Sequence, residues 1–227
     1  SGEVLTAKAV ILATGANHKL LGVPGEADLT GAGVSYCATC DGAFFRNKIV
    51  AVVGGGDVAL EDALYLSKLC EKVYLIHRRD ELRGAKVLQQ RVFDTDNIEF
   101  LGSSQITRIT GTNMVEQITV EDKKSGDTRD IALSGVFIAV GMEPQNALVR
   151  GLTALDDAGY IIAGEDCRTS VPGIYAVGDI RTKQLRQVVT AVADGAVAVS
   201  SLEQDFLKQD LNTAIETGKE SYLSCVL

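Results

Sequence analysis

The sequence predicts an α/β protein in which a domain built on a parallel sheet is inserted into a second domain. Short apolar runs alternate with helical patterns over residues 48–93, as strands and helices do around a parallel sheet. The outer pieces, 1–21 and 142–227, are each too short to hold a core, so we expect most of them to form one other domain. The predicted segments are 1–21, 22–141, 142–208 and a flexible tail at 209–227.

Composition limits the classes of function. The chain has 227 residues, a formal net charge of −8 and five cysteines. The negative charge argues against a nucleic-acid surface, and no apolar run reaches the ~18 residues of a membrane span. Five cysteines are an odd number and too few for a secreted disulfide scaffold, so a reducing cytoplasm is the expected setting.

The elements are predicted from apolar runs and from Gly and Pro positions. A buried strand at 8–13 ends at Thr14-Gly15, and an irregular glycine-rich stretch follows over 17–36. A βαβ unit comprises a strand at 48–53, a helix at 57–69 and a strand at 72–77. The remaining elements are a helix at 83–93, strands within 98–140 with a hairpin over 113–130, a strand at 136–140, a break at Glu143-Pro144, short strands within 159–177 and a long helix at 185–208.

The glycine motif between the first strand and helix of the βαβ unit predicts dinucleotide binding. Residues Gly54 to Ala59 read GGGDVA, a GxGxxA pattern. Gly54 allows the tight turn, and Gly56 lets the backbone approach a pyrophosphate. Ala59 permits close packing of helix on strand, and the helix N-terminus supplies N–H donors and a partial positive charge. The inserted domain is therefore predicted to be Rossmann-like, with three layers that include an antiparallel meander.

The end of the next strand indicates which dinucleotide binds. An NAD site places Asp or Glu about 20 residues after the glycine motif, where it holds a ribose hydroxyl. This sequence instead has His77, Arg78 and Arg79 there, with Arg83 one helical turn further on. Guanidinium groups suit a phosphate dianion, so the pattern favours the 2′-phosphate of NADPH. The alternative interpretation is a solvated basic surface.

Cys37 and Cys40 form a CxxC motif that is followed directly by Asp41. A zinc site would need two more ligands at suitable spacing, and the chain has only His18 and His77, so no metal site is predicted. A structural disulfide is not expected in a reducing compartment. The motif therefore predicts a redox dithiol, with Asp41 available for general acid–base catalysis. Asp41 could equally be a helix cap or a turn residue.

A flavin is expected between these two sites. Nicotinamide donates a hydride, whereas a disulfide is reduced by thiol chemistry, and flavin is the natural intermediary. The stretch Gly173–Arg181 fits such a site because a buried strand ends there in Gly178-Asp179, where ligands bind in α/β proteins. The next helix is predicted to begin near Arg186 with its N-terminus free to face a ligand.

The ordered motifs ATGA, CATCDG, GGGDVALEDA, HRRDELR, GIYAVGD and RQVVTAV closely resemble the low-molecular-weight bacterial thioredoxin reductases over about residues 8–205. The position of CATCDG, between ATGA and the glycine loop, is the most specific of these features. The resemblance implies an NADPH domain inserted into a FAD-binding domain, with electrons passing from NADPH through FAD and the dithiol to thioredoxin. It also implies a homodimer, in which the NADPH domain rotates.

The resemblance further implies individual roles. Cys40 would face the flavin, Cys37 would attack thioredoxin, and Asp41 would donate a proton. The residues expected to bind NADPH are Gly54, Gly55, Gly56, Asp57, Val58, Ala59, Glu61, His77, Arg78, Arg79, Arg83 and Gly141. Those expected to contact FAD are Thr14, Gly15, Gly178, Asp179, Arg186, Gln187 and Val188.

The sequence departs from this family at its start. Family members begin with another Rossmann unit that binds the ADP half of FAD, and the sequence lacks it before Thr14. We therefore expect only part of the flavin pocket. Two alternatives stay open: a flavoprotein reductase for another disulfide acceptor, such as a peroxidase system, and a non-catalytic NADPH-binding module. Cys70 is predicted to be a core residue, and no role is predicted for Cys167 or Cys225.

Overall fold

The computed structural model describes residue 2 and residues 4–216, with side chains up to residue 210. These residues form two compact units. One unit joins the residues up to Asn17 with those from Met142 onward, and the other is His18–Gly141. The sequence places the corresponding boundaries at residues 21 and 141, and the ligand of each unit stays a prediction.

The described residues contain twelve strands and four α-helices, together with two short 3₁₀ helices. The strands are β1 (Val10–Leu12), β2 (Ala16–His18), β3 (Val34–Ser35), β4 (Ile49–Val53), β5 (Lys72–Ile76), β6 (Ile98–Leu101), β7 (Ser104–Thr110), β8 (Gln117–Asp122), β9 (Thr128–Ala132), β10 (Gly135–Ile138), β11 (Met142–Pro144) and β12 (Ile174–Ala176). The helices are α1 (Ala38–Asp41), α2 (Asp57–Ser67), α3 (Lys86–Phe93) and α4 (Val188–Glu216), and the 3₁₀ helices are Gly42–Phe45 and Gly178–Ile180. None of the described helices is both long and apolar enough to cross a membrane.

The unit His18–Gly141 has three layers. Its central sheet is entirely parallel, with the strand order β3-β10-β4-β5-β6, and an antiparallel meander β7-β8-β9 lies against it. Successive side chains of a strand point to opposite faces. Accordingly Val50 and Val52 pack in the core that includes α2, whereas Ala51 and Val53 pack in the core that includes the meander. The predicted α/β fold class with a parallel sheet and a meander is confirmed.

Helix α2 follows from the spacing of its apolar residues. Ala59, Ala63 and Leu66 recur at intervals of four and three residues, which places them on one face, and all three are fully buried. Its last turn leaves carbonyl groups without helical partners. Asn97 satisfies one of them, because its Nδ2 donates to the Ser67 carbonyl oxygen at 2.8 Å.

In the discontinuous unit, β1 pairs in parallel with β12, and β2 pairs with β11. Ile161 and Ile180 belong to one of its apolar clusters and are fully buried. Asp194 on α4 accepts hydrogen bonds from Arg181 and from Lys183, whose side chains are buried with it. Removing one partner of such a buried ion pair would leave a charge uncompensated, so the three residues act together.

The cysteines outside the CxxC motif have no described partner thiol. Cys70 and Cys167 are free and buried. Burial raises the pKa of the Cys70 thiol to about 11, so this group stays protonated and unreactive near neutral pH. The prediction that Cys70 is a core residue is confirmed. Cys225 lies outside the described residues.

Three predictions of local structure need correction. Helix α3 begins at Lys86 rather than Arg83, because the Arg83 N–H donates to the Gly55 carbonyl oxygen instead of entering a helix. The expected break at Glu143-Pro144 is the end of strand β11, a position where a strand tolerates proline.

Helix α4 runs from Val188 to Glu216, so the first eight residues of the predicted flexible tail are helical. Their polarity does not end the helix, since no Gly or Pro interrupts them. The rest of that tail lies outside the described residues.

Two valines of α3 provide a matched test of this core. Val92 is 1% exposed and Val87 is 67% exposed. We expect Val92→Ala to lower the free energy of unfolding by roughly 1–3 kcal/mol, because it removes buried methyl groups and leaves a cavity. Val87→Ala should change it by less than about 0.5 kcal/mol. Urea unfolding of both variants measures the difference, and equal losses would contradict the packing of α3 described above.

Candidate functional site

The CxxC motif forms a disulfide at the carboxyl end of strand β3. Cys37 and Cys40 are bonded to each other, with their Cα atoms 5.2 Å apart. Cys37 caps the short helix α1, since its Sγ accepts the Cys40 N–H at 3.2 Å, and the Thr39 hydroxyl lies 3.4 Å from the same sulfur. Cys37 is half-buried and Cys40 is exposed. The two cysteines of the predicted dithiol are therefore close enough to form a disulfide, and Cys40 lies at the surface.

Asp41 is held beside this disulfide by a residue that the sequence analysis missed. The Ser35 hydroxyl donates to Asp41 Oδ2 at 2.7 Å, and it also accepts the Cys37 N–H at 3.1 Å. The Asp41 carboxylate makes no capping hydrogen bond to the 3₁₀ helix that follows, so the interpretation as a helix cap is not realised. A serine two residues before a cysteine carries no recognisable signal, which is why sequence reasoning missed Ser35.

The three glycines after strand β4 have different roles. Gly54 has φ of 155°, and a Cβ there would overlap the Ala139 carbonyl oxygen at 2.4 Å and the Ala59 Cβ at 2.7 Å. A Cβ on Gly55 would overlap the His77 ring, at 2.5 Å from Cε1. A Cβ on Gly56 would meet nothing within 4 Å. Gly54 and Gly55 are thus required by packing, whereas Gly56 faces open space in which a ligand can approach the backbone.

The arginine-bearing loop after strand β5 is fastened to this glycine turn. The N–H groups of Arg83 and Gly84 donate to the Gly55 carbonyl oxygen at 2.6 and 3.1 Å. Asp57, the first residue of α2, accepts the Ala85 N–H at 2.7 Å through Oδ1. The main polar contact of Asp57 is thus with the loop, and the loop brings its arginines close to the N-terminus of α2.

A cleft of about 450 Å³ lies beside the glycine turn. The predicted residues that line it are Gly54, Gly55, His77, Arg78 and Arg83. The other predicted dinucleotide residues lie outside its lining: Gly56, Asp57, Val58, Ala59, Glu61, Arg79 and Gly141. Residues that sequence reasoning did not select also line it, among them Lys19, Leu20, Leu21, Ser104, Gln105 and Val140. They come from distant parts of the chain, and no local motif marks them.

The positive charge of the cleft lining comes from Lys19, Arg78 and Arg83 and not from His77. Burial, and then the guanidinium groups of Arg83, Arg78 and Arg79, lower the pKa of His77 below its usual value of about 6.5. The imidazole is therefore neutral at neutral pH, and its buried Nε2 has no hydrogen-bond partner. Such an atom costs about 1–3 kcal/mol unless a partner satisfies it, so it fits a site in which a ligand supplies one.

No carboxylate neutralises these arginines within the described part of the chain. Arg78, Arg79 and Arg83 are exposed, and none of them forms an ion pair there. The adjacent Asp80 is engaged elsewhere, since it pairs with Lys124 and accepts the Ser103 hydroxyl. The arginine group is thus available to an anion, and this favours a phosphate site over a surface already satisfied by its neighbours.

The predicted flavin residues lie in the discontinuous unit. The Thr14 hydroxyl donates to the Gln145 carbonyl oxygen at 2.8 Å, and the Gly15 carbonyl oxygen accepts the Gln145 N–H at 2.9 Å. Gly178 N–H donates to Asp194 Oδ2 at 2.8 Å, which fixes the turn after β12. The Thr14 hydroxyl, the Gly15 carbonyl oxygen and the Gly178 N–H therefore already have hydrogen-bond partners within the protein.

Two other predicted flavin residues have buried polar atoms without partners. They are Asp179, through Oδ1, and Arg186, through Nε. The Arg186 guanidinium stacks on the Tyr160 ring at 3.9 Å, which holds it in place. An orphaned acceptor and an orphaned donor fit a polar ligand with hydroxyl and anionic groups. Gln187 donates its N–H to the Thr190 hydroxyl, and Val188 is 80% exposed at the start of α4.

No cluster of three or more His, Cys, Asp or Glu side chains suited to a metal ion occurs among the residues that the structure describes. A proposed function has to explain three features: the disulfide, the cleft, and the unpartnered buried atoms of Asp179 and Arg186 in the discontinuous unit.

Comparisons with known proteins agree on one family. The family described as pyridine nucleotide-disulphide oxidoreductase matches residues 1–195. The thioredoxin reductase of Peptoclostridium acidaminophilum is 48% identical over 204 residues, which cover 87% of this chain and 65% of that protein. That of Treponema pallidum (strain Nichols) is 47% identical over 193 residues, 85% of this chain and 62% of that protein. The chain thus spans just under two thirds of the length of these curated relatives.

A solved structure gives the same result. The crystal structure of thioredoxin reductase from Streptococcus pyogenes MGAS5005 superposes with a TM-score of 0.83 at 48% identity. The match covers 88% of this chain and 66% of that one. The resemblance drawn from the motifs is therefore confirmed by both sequence and structure.

The different roles of Gly55 and Gly56 can be tested by alanine substitution. We expect Gly55→Ala to lower the free energy of unfolding by roughly 1–3 kcal/mol, because its Cβ would overlap the His77 ring. Gly56→Ala should cost less than about 1 kcal/mol, since its Cβ enters open space. Urea unfolding of the two variants gives the comparison. A larger loss for Gly56→Ala would show that the turn is packed differently.

Proposed function

Because the chain belongs to the pyridine nucleotide-disulphide oxidoreductase family, we propose that it is the dithiol-bearing part of a thioredoxin-disulfide reductase. In this proposal electrons pass from NADPH through FAD and the Cys37–Cys40 pair to the disulfide of thioredoxin. The curated relatives it matches are thioredoxin reductases. The observation that carries the proposal is the placement of the disulfide and of the glycine turn in one unit.

That placement follows from the parallel sheet. The disulfide follows β3 and the glycine turn follows β4, and β10 lies between these two strands. Carboxyl ends of parallel strands meet at one edge of a sheet, and neighbouring strands are ~4.8 Å apart, so the two strand ends are on the order of 10 Å apart. Helix α1 also packs on α2, since Ala38 shares a core with Ala59. A dinucleotide site and a redox disulfide built this closely together support an NADPH-linked disulfide reductase.

The cleft supports NADPH as the electron donor. The open side of Gly56 and the N-terminus of α2 would receive the pyrophosphate. Arg78, Arg79 and Arg83 would hold the 2′-phosphate, because no described carboxylate competes for them.

The orphaned atoms of the discontinuous unit support FAD. Asp179 and Arg186 would hold it, the first as an acceptor for hydroxyl groups and the second as a donor to an anionic or carbonyl oxygen. A flavin, when bound, accepts a hydride and passes two electrons to a disulfide. This chain supplies the dithiol that receives them.

The surface around the disulfide suits a protein substrate. Phe44, four residues after Cys40, is 74% exposed. Exposed aromatic residues supply large apolar contacts at protein interfaces. Cys37 would attack the substrate disulfide, Cys40 would face the flavin, and Asp41 would donate a proton.

We also propose that the complete protein is a cytoplasmic homodimer, as the family resemblance implies. Val188 and Val192, near the start of α4, are exposed apolar residues of the kind that an interface covers.

Cofactor choice can be tested by neutralising the arginines. Replacing Arg78 and Arg79 with glutamine should weaken NADPH binding by roughly 1–3 kcal/mol, because charge-assisted contacts to the 2′-phosphate are lost. Binding of NADH, which lacks this phosphate, should hardly change. Gly56→Ala is the matched control, since it would crowd the pyrophosphate that both cofactors share and should weaken them equally. Isothermal titration of the three proteins with both dinucleotides measures this. Equal weakening of NADPH and NADH by the arginine changes would contradict the assignment.

The electron path is tested with the full-length parent protein. With thioredoxin present we expect NADPH oxidation, followed as loss of nicotinamide absorbance, and Cys40→Ser should abolish it because the dithiol cannot form. Cys70→Ser removes a buried, unreactive thiol and should leave most of the activity. Oxidation that survives Cys40→Ser would contradict the proposal.

Two outcomes would favour the alternative functions. Activity with a disulfide protein of a peroxidase system, but not with thioredoxin, would favour a reductase for that other acceptor. Absence of any flavin absorbance at about 450 nm would favour a non-catalytic NADPH-binding module.

A further inference from the structure

The side chain of Ser35 joins Asp41 to the backbone of a redox cysteine. It ends strand β3, pairs with Phe137 of β10 and is 5% exposed. Its hydroxyl donates to Asp41 Oδ2 at 2.7 Å and accepts the Cys37 N–H at 3.1 Å. The Cys37 carbonyl oxygen lies 3.4 Å from the same hydroxyl and offers a second acceptor. A buried hydroxyl on a rigid strand thus has Asp41 on one side and both backbone groups of Cys37 on the other.

The chemistry of a hydroxyl lets Ser35 bind Asp41 in both protonation states. A hydroxyl has one donor hydrogen and two acceptor lone pairs, and its hydrogen rotates to suit its neighbours. When Asp41 is a carboxylate, Ser35 donates to it. When Asp41 is protonated, its own O–H can donate to Ser35 Oγ, and the serine hydrogen then turns to the Cys37 carbonyl oxygen. Neither alanine nor a side chain that only donates could keep contact with Asp41 through this exchange.

We propose that Ser35 is a positioning residue that holds Asp41 next to the dithiol throughout the proton cycle of disulfide reduction. The inference rests on the proposed function, in which Asp41 donates a proton. Reduction adds two electrons to the Cys37–Cys40 bond, which breaks, and each sulfur takes up one proton. Asp41 gives its carboxyl proton to one departing thiolate, becomes a carboxylate and is protonated again from water. Ser35 acts through Asp41 and does not itself contact the sulfurs.

A merely structural role for Ser35 predicts a different pattern. If Ser35 only braced the turn through the Cys37 N–H, its loss would alter the disulfide equally at every pH and would do so whether or not Asp41 is present. If it acts through Asp41, its loss matters only where a carboxyl proton is used and only while Asp41 remains. A pH profile combined with a double-mutant cycle separates these two cases.

The test uses the 227-residue chain and needs no bound cofactor. Its disulfide is reduced by excess dithiothreitol, whose thiolate attacks one sulfur and whose second thiol then closes a cyclic disulfide. Samples are quenched in acid and alkylated, and the tryptic peptide 20–46, which contains Cys37 and Cys40 and no other cysteine, is quantified by mass. Each variant's rate is divided by the wild-type rate at the same pH. This ratio removes the effect of pH on the fraction of dithiothreitol that is ionised, because that fraction is the same for both proteins.

Asp41→Asn should slow reduction at least tenfold at about pH 5.5, because general acid catalysis is lost. Ser35→Ala should slow it about fivefold there, the factor that corresponds to one hydrogen bond of ordinary strength. Both variants should lie within about twofold of wild type at about pH 9, where a carboxyl group holds no proton to donate. Ser35→Thr keeps the hydroxyl and should restore the rate. Adding Ser35→Ala to Asp41→Asn should slow reduction no further.

The control is Ser67→Ala, whose hydroxyl bonds only to the Leu64 carbonyl of its own helix and should leave every rate unchanged. Equal slowing by Ser35→Ala at both pH values, or slowing that persists in the Asp41→Asn background, would overturn the proposal. A wild-type rate for Ser35→Ala with a slow Asp41→Asn would overturn it while leaving the role of Asp41 intact. A wild-type rate for Asp41→Asn at about pH 5.5 would instead reject the proton donor itself.

Discussion

The parallel pairing of β10 with both β3 and β4 is the constraint on which the rest of the inserted unit depends. It makes two stretches that are separated in sequence end at one edge of the sheet. One end carries the disulfide and Asp41, and the other carries the glycine turn. Had only one of these two pairings been antiparallel, the two stretches would have ended at opposite edges. The chemistry of the unit is thus set by backbone hydrogen bonds before any side chain contributes.

Local patterns predicted the parts of the fold that depend on neighbouring residues. The βαβ unit could be read from the sequence because apolar periodicity and the glycine turn act within a few residues. The start of α3 could not, because Arg83 and Gly84 are held by the Gly55 carbonyl, which lies almost thirty positions earlier. The site shows the same limit: the cysteines and arginines stand in recognisable motifs, whereas Lys19 reaches the cleft only through tertiary folding. Ser35 is close to Cys37 and Asp41 in sequence, but a single serine there forms no motif that indicates its contact with the carboxylate.

The fastening of the arginine loop to the glycine turn has an electrostatic consequence. Three guanidinium groups lie close together, which would repel one another in the absence of an anion. The titratable side chain next to the turn is a neutral histidine and not a carboxylate, and the adjacent Asp80 pairs with Lys124. The repulsion is therefore not relieved within the unit, and a phosphate dianion would relieve it. An anionic ligand therefore binds such a cleft with a more favourable free energy than it would bind a cleft whose charges are already paired.

Buried polar atoms without partners give independent support for where ligands bind. Four such atoms occur among the residues whose side chains the structure describes: those of His77, Thr153, Asp179 and Arg186. Three of the four belong to residues that the motifs had selected for a dinucleotide or a flavin, although the motifs say nothing about hydrogen bonding. A folded protein leaves few buried polar groups without hydrogen-bond partners. The agreement is therefore explained if ligands supply the hydrogen-bond partners of those three atoms. Thr153 belongs to no predicted site, and nothing in the structure explains it.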